Sequence, residues 1–156
     1  MKTAIISLYS AIIILSGCSA MAPAPLVQQE KGDKVVCILF KDTRFKTEVV
    51  GILTGELSKK GYRVVTGSVA QARHYIADEY AAIVYMSELW AWHTPWHAKR
   101  YYREQDEAIN IVFVVTSGDP DVSILKPFDA VTSASSPGKV GDVVGEVMTK
   151  LDRVLP

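Results

Sequence analysis

The chain has 156 residues, 49% of them apolar and 22% charged, with 17 Lys and Arg against 17 Asp and Glu. That length suits one domain with a buried core, and the composition excludes a disordered or collagen-like chain. If the leader described next is removed, the 17 basic residues less Lys2 become 16 against 17 acidic, a net charge of −1 with no overall field to draw in nucleic acid or an anionic membrane.

Residues 1–17 read as a signal peptide. Met1-Lys2-Thr3 carries one positive charge, and Ala4 to Leu15 is largely apolar, with Ile5, Ile6, Leu8, Ile12, Ile13, Ile14 and Leu15. The run is shorter than the ~20 residues of a transmembrane helix and suits a secretory leader. Leu15-Ser16-Gly17-Cys18 closely resembles the lipobox of bacterial lipoproteins. The resemblance implies cleavage before Cys18, a diacylglyceryl thioether on its sulfur and acylation, with palmitate or a similar chain, of the new amine. An ordinary signal peptide with a coincidental cysteine is the alternative. Stable anchoring needs more than one chain at ~0.8 kcal/mol per buried methylene, and a multiply acylated Cys18 meets that need. Ser19 stands where the lipoprotein sorting rule disfavours aspartate, which implies a bacterial envelope location at the outer membrane, facing the periplasm. Residues 18–33 then form a tether, extended by Met21-Ala22-Pro23-Ala24-Pro25, and residues 34–156 form the folded domain. With Cys18 capped by lipid, Cys37 has no disulfide partner and reads as a small core hydrophobe.

From Lys34 on, strand and helix patterns alternate. Lys34–Phe40 is a continuous β-branched run, as in a strand buried on both faces. Thr43–Lys60 has the helical stripe Phe45, Val49, Ile52, Leu53 and Leu57, with Asp42 as the expected cap and Lys59-Lys60-Gly61 as the stop. Tyr62–Thr66 is a second strand, expected at an edge because Arg63 alternates with apolar neighbours. Ser68-Val69-Ala70-Gln71 fits a capping box for a short helix with the stripe Val69, Ala72 and Ile76. Tyr80–Met86 is the third strand, Thr94-Pro95 opens a helix expected to reach Glu107, and Ile109–Val115 is the fourth strand. Phe128–Thr132 is a short fifth strand. The last helix carries Val140, Val143, Val144, Val147, Met148, Leu151 and Val154 at 3.6-residue spacing. This alternation predicts an α/β three-layer sandwich on a five-stranded parallel sheet of order 2-1-3-4-5, with the more polar second strand at an edge.

In such sheets ligands bind beyond the carboxyl ends of the strands, near the switch point between strands one and three. Three loops should meet there: Lys41–Thr47, Ser87–His97 and Thr116–Lys126. Over residues 34–155 the pattern resembles the flavodoxin-like superfamily. In flavodoxins the first loop is a Ser/Thr-x-Thr-Gly-x-Thr phosphate cradle. Here Thr43 and Thr47 match its outer threonines, and Arg44-Phe45-Lys46 stands where the glycine turn belongs. Arg44 and Lys46 offer charge where glycine would offer close backbone approach to a phosphate. A solvated first helical turn explains the same residues. The second loop holds all three tryptophans, and the resemblance implies that Trp90 or Trp92 stacks on a flavin ring. An apolar lid, or a contact patch for a partner or the membrane, explains them as well. The third loop offers Ser117, Gly118 and Asp119, which resemble the flavin-contacting loop and also suit a plain turn.

Other motifs carry less. Asp129-Ala130-Val131-Thr132-Ser133-Ala134-Ser135 resembles the Asp-Ala-Val-Ser-Gly-Ala-Thr motif of covalent FMN-binding domains, with Ser135 at the flavin-bearing position and Ser133 where the glycine belongs. That family has another fold. His93 and His97 are four apart, but Thr94-Pro95 starts a helix between them, so with Glu88 they complete no metal-ligand set, and no metal is expected. His74 gets no role. Lys99, Arg100 and Arg103 are followed by Glu104, Asp106 and Glu107, a solvated helix face and no nucleic-acid surface.

The expectation is therefore a lipid-anchored envelope protein whose flavodoxin-like domain binds a ligand or an envelope protein partner without catalysing a reaction. The alternatives are FMN-dependent electron transfer, with no other cofactor, and activation of envelope assembly or of a cell-wall enzyme. No catalytic residue is assigned.

Overall fold

The computed structural model describes residues 31–89, 95–118 and 130–156. Five strands form one parallel sheet: β1 (Gly32–Phe40), β2 (Arg63–Ser68), β3 (Tyr80–Glu88), β4 (Ile111–Ser117) and β5 (Ala130–Ala134). Their order is β2-β1-β3-β4-β5, as the alternation predicts, with β2 at an edge. Val36 pairs with Val64 on one side and Ala82 on the other, and Val84 pairs with Val112, so the apolar runs fill the middle of the sheet.

Side chains alternate across each strand and build two cores. Val36 and Ile38 of β1, Ala82, Val84 and Met86 of β3, and Val112 and Val114 of β4 face helices α1 (Arg44–Lys59) and α3 (Val140–Val154). Cys37 and Leu39, Ile83 and Tyr85, and Phe113 and Val115 face the other layer, which holds helix α2 (Trp96–Glu104) and two 3₁₀ turns, Val69–His74 and Ala77–Glu79. Tyr85 stacks on Tyr101 of α2 at a centroid distance of 5.0 Å, and the Tyr101 hydroxyl donates to the Tyr75 carbonyl at 2.7 Å. Cys37 is fully buried, and that burial pushes its thiol up to about 12, so it behaves as the core hydrophobe expected of it.

The stop of α1 follows the sequence closely. Gly61 has φ of 83°, and the amides of Gly61 and Tyr62 donate back to Ser58 and Leu57 at 3.0 Å each. This left-handed cap satisfies the last carbonyls and turns the chain into β2. The start differs from expectation. Thr43, not Asp42, is the cap, and its hydroxyl accepts from the Lys46 amide at 3.4 Å. Asp42 instead accepts from the Thr47 hydroxyl at 2.7 Å.

Several boundaries also move. Ile52 is 42% exposed, and Val50 takes its place in the buried stripe. At ~100° per residue, Ile52 lies about 100° from the middle of the buried arc, too far round to reach the sheet. The segment after β2 forms 3₁₀ turns instead of a helix, and Ile76 is exposed. Helix α2 stops at Glu104, because Asp106 and Glu107 adopt φ of 50° and 56°. Strand β4 starts at Ile111. Ile109 is 88% exposed, and Asn110 ties the approach to the sheet by donating to the carbonyls of Ala77 and Tyr80. Strand β5 is described over Ala130–Ala134, and Phe128 and Asp129, the expected first residues of that strand, lie outside the described residues. Thr94, the expected cap of α2, also lies outside them, and Pro95 holds the cap position.

Candidate functional site

The carboxyl ends of β1, β3 and β4 and the amino ends of α1 and α2 form one rim of the sheet. The first loop arrives with Lys41 and Asp42 after β1, and Thr43 opens α1. Arg44 is exposed, Phe45 is buried, and Lys46 is the third residue of the helix. By helical angle Lys46 falls in the middle of the buried arc that Val49, Val50, Leu53 and Leu57 define. It is accordingly 1% exposed, a lysine set into the apolar face of its own helix.

Its ammonium has a specific partner. Lys46 Nζ donates to Glu88 Oε1 at 3.1 Å, and Lys41 Nζ lies 3.8 Å from Glu88 Oε2. Glu88 is the last residue of β3, so this ion pair ties the start of α1 to the end of β3 across the switch point. Burial lowers the Lys46 pKa, and the Glu88 hydrogen bond and charge offset part of that shift. The same hydrogen bond from Lys46 holds the Glu88 carboxyl below its ordinary range. The contact favours the charged form of both groups and prevails at Glu88, whereas at the buried Lys46 dehydration outweighs it, so the cost of the pair falls on the lysine.

The third loop begins at the neighbouring strand. Glu88 stands opposite Thr116, the Leu89 amide donates to the Thr116 carbonyl at 2.8 Å, and the Thr116 hydroxyl donates to the Ser87 carbonyl at 3.3 Å. Ser117 ends β4, Gly118 is exposed just beyond it, and the Ser135 amide donates to the Ser117 carbonyl at 2.9 Å. Asp119 lies outside the described residues, as do Trp90, Trp92, His93 and Cys18. The structure therefore places Thr43, Arg44, Lys46 and Thr47 at one corner and Ser117 and Gly118 one strand beyond Glu88. Ser133, in β5, donates to the Ala134 carbonyl, and Ser135 follows the strand, an ordinary fifth strand and turn for the stretch that resembles a covalent flavin motif.

Three rim residues have roles that the sequence does not assign them. Glu88 is the counter-ion of Lys46. Trp96, at the first position of α2, is 69% exposed and packs edge-on against His97 at 6.0 Å. Ser87 is buried, and its hydroxyl has no hydrogen-bond partner among the described residues. A usable signal exists for the first two, since a charge closing an apolar strand and an indole opening a helix are both uncommon placements. His97 lies 6.4 Å from Tyr85, and burial lowers its pKa, with Glu88 opposing. No cluster of three metal-ligating side chains occurs among the described residues.

The corner does not suit a phosphate group as flavodoxins hold one. A dianion needs donors that are open and a local charge that is positive. Here the Thr47 hydroxyl donates to Asp42, the Lys46 amide is taken by Thr43, and the Lys46 ammonium is taken by Glu88. Lys41, Arg44 and Lys46 are matched by Asp42, Glu48 and Glu88.

Sheet order, layers and the position of the rim define a flavodoxin-like α/β domain. Among solved structures the chain is similar to a flavodoxin from the domain Archaea, with a TM-score of 0.51 and 10% identity over 77% of this chain and 98% of that one. It is also similar to a point mutant of the flavo di-iron protein from Thermotoga maritima, with a TM-score of 0.55, 11% identity and 81% of this chain covered. A third likeness is to rubredoxin oxygen:oxidoreductase from Desulfovibrio gigas, with a TM-score of 0.50, 9% identity and again 81% coverage. The chain spans 37% of each of these last two proteins. At such identities the likeness is one of fold. No protein-family profile and no curated protein sequence matches the chain.

Proposed function

We propose that this protein is a lipid-anchored envelope protein whose flavodoxin-like domain binds a ligand or a protein partner at the carboxyl-end rim, without redox chemistry of its own. The observation that carries this reading is the Lys46–Glu88 pair. It fills, with the chain's own charges, the corner where a flavodoxin holds the phosphate of FMN. What is left for recognition is the edge beside it: the exposed Trp96 and the segment carrying Trp90 and Trp92 that directly follows Leu89 in the chain. Aromatic residues of this kind anchor interfaces because each offers ~150–250 Å² of surface with a polar handle. The lipobox-like Leu15-Ser16-Gly17-Cys18 supports the anchor.

Capture of an envelope partner by the wild-type protein should be lost in Trp90→Ala and Trp92→Ala variants that keep their far-UV spectrum and melting temperature. Unchanged capture removes the proposal. Cys18→Ala should release the protein from the membrane fraction, and persistent fractionation refutes the anchor.

A second reading, FMN binding and electron transfer, is favoured by the shared sheet order and rim. It requires Glu88 to leave Lys46 first. Titration of the purified protein with FMN decides it: quenching of flavin fluorescence at micromolar concentrations selects this reading, and an unquenched signal at high micromolar concentrations discards it. The assembly-factor or cell-wall-activator role is a special case of partner binding, read out by the identity of the captured protein.

A further inference from the structure

The outer faces of α1 and α3 hold glycines that the chain itself does not explain. Gly51 and Gly55 stand one turn apart within α1, and Gly141 and Gly145 one turn apart within α3. All of them are exposed, and none has a positive φ. A Cβ at any of these positions would meet nothing within 4 Å among the described residues. Glycine inside a helix is unfavourable relative to alanine, so neither backbone conformation nor packing within the chain accounts for them. By helical angle they share an outward ridge with other small residues: Thr47, Gly51, Gly55 and Ser58 on α1, and Gly145 and Thr149 on α3. The Thr149 hydroxyl donates back to the Gly145 carbonyl at 2.8 Å, so this polar group is satisfied within its own helix.

The charges beside the α3 ridge match a second copy of the same helix. An open groove along Gly141, Gly145 and Thr149 is bordered by Asp142 and Glu146 toward the amino end and by Lys150 and Arg153 toward the carboxyl end. Asp142 and Arg153 stand about 8 Å along the axis on either side of a point between Val147 and Met148. Glu146 and Lys150 bracket Met148 in the same way. A two-fold axis at that height sets Asp142 opposite the partner subunit's Arg153 and Glu146 opposite the partner subunit's Lys150. Asp142 also meets Lys139 at 2.9 Å on its own surface, an exposed pair that rearranges at little cost. Lys60 pairs with Asp152 and holds α1 alongside α3, so the same axis lays the small-residue ridge of α1 on its own copy. Acid before base along a helix also suits the helix dipole, but the dipole gives no reason for the glycines.

We propose that the α1–α3 face is the interface of a symmetric dimer of this chain, with the two layers stacked and their helices antiparallel. The occupant is a second copy because the α3 charges complement themselves, as a contact between identical patches requires. The glycines let the helix backbones approach closely at the centre, and the charges fix the register at the ends. This face lies across the sheet from α2 and does not depend on the reading of the rim. The chain from Cys18 to Lys31 would reach roughly 45 Å if extended, enough for both copies of an antiparallel pair to share one bilayer.

The test traps the pair in the full chain, in the cells that make it, with a short cell-permeant bismaleimide. Thr149→Cys places a thiol on the ridge close to the axis, and the wild type treated alike is the blank, since Cys37 is buried. Thr149→Cys should give a band at twice the mass of the chain. Adding Asp142→Arg should cut its yield about tenfold, because symmetry makes one substitution reverse two contacts. Adding Arg153→Asp to that chain should restore the yield. Gly145→Gln in the Thr149→Cys background should lower the yield while raising the melting temperature of the dilute protein, a split that helix propensity alone does not produce. No band, a yield unmoved by Asp142→Arg, or no recovery in the charge exchange overturns the proposal. An adduct of any other mass overturns it too and gives the face to a different protein. Should Asp142→Arg fail to fold, Gly145→Gln decides, and an unchanged yield there overturns the proposal.

Discussion

Breaking the Lys46–Glu88 pair from its two sides should give unequal costs. Lys46→Met keeps an apolar stem in the middle of the α1 face and leaves Glu88, nearly half exposed, free to hydrate. Its expected cost is within about 1 kcal/mol, in line with other pairs that have one wet member. Glu88→Gln leaves an ammonium that is 1% exposed without its counter-ion. An unsatisfied buried donor costs ~1–3 kcal/mol, and a fully buried broken pair costs ~3–5 kcal/mol. The penalty has a ceiling, because Lys46 can release its proton instead. Taking an amine from its ordinary range to neutrality at pH 7 costs about 4–5 kcal/mol, at ~1.36 kcal/mol per pH unit. With Glu88 only half buried, about 2 kcal/mol is expected, a fall in melting temperature of roughly 6–10 °C for a domain of this size. The double variant Lys46→Met/Glu88→Gln should return to within about 1 kcal/mol of the wild type, a coupling of the size neighbouring charges show. Urea and thermal denaturation of the four proteins at pH 7, in phosphate-free buffer, measure this directly. Equal costs for the two single variants, or a larger cost for Lys46→Met, would refute the argument that burial is concentrated on the lysine.

Acid behaviour follows from the same pair. The folded Glu88 pKa is depressed, so its contribution is present above the unfolded carboxylate value of about 4.3 and is lost as pH falls through the folded value. Melting curves from pH 5 to pH 2 should therefore be steeper for the wild type than for Glu88→Gln, and superimposable slopes would contradict this. Gly67→Ala should destabilise by about 1–3 kcal/mol, because a Cβ there would collide with the buried Tyr75 ring and hydroxyl. An unchanged denaturation midpoint would mean that the ring yields freely. The Cys37 thiol, pushed up to about 12, should resist iodoacetamide at pH 8 until denaturant unfolds the sheet, and alkylation of the folded protein would show that the core opens there.

The sheet is legible in the sequence because its signals are collective. Continuous apolar runs at Val35–Phe40 and Ile111–Val115, the Lys59-Lys60-Gly61 stop and the stripe of α3 each involve several residues that agree, and the topology follows from their order. Elements whose signal is two or three residues long mislead. Val69, Ala72 and Ile76 match a helical period, but the short span between two strands of the sheet folds as tight turns instead. The candidate site is legible in place but not in wiring. Lys46 stands out as a charge just after the first strand, and its spacing to Val49, Val50, Leu53 and Leu57 already sets it on the buried side. Its partner is 42 residues away, however, and pairing of Glu88 with it depends on β3 lying beside β1 in a particular register. No local pattern encodes that distance.

The direction of β1 has a bearing on how the domain would stand on a bilayer. This strand enters the sheet at Gly32 and leaves it at Phe40, the last of its 9 residues, so its two ends are roughly 27 Å apart. The proposed anchor at Cys18 precedes Gly32, and Lys41 and Glu88 lie at the opposite pole. A domain tethered in that manner would be held by the pole opposite the crest that bears Trp96, so the tether and the crest would not compete for the same surface.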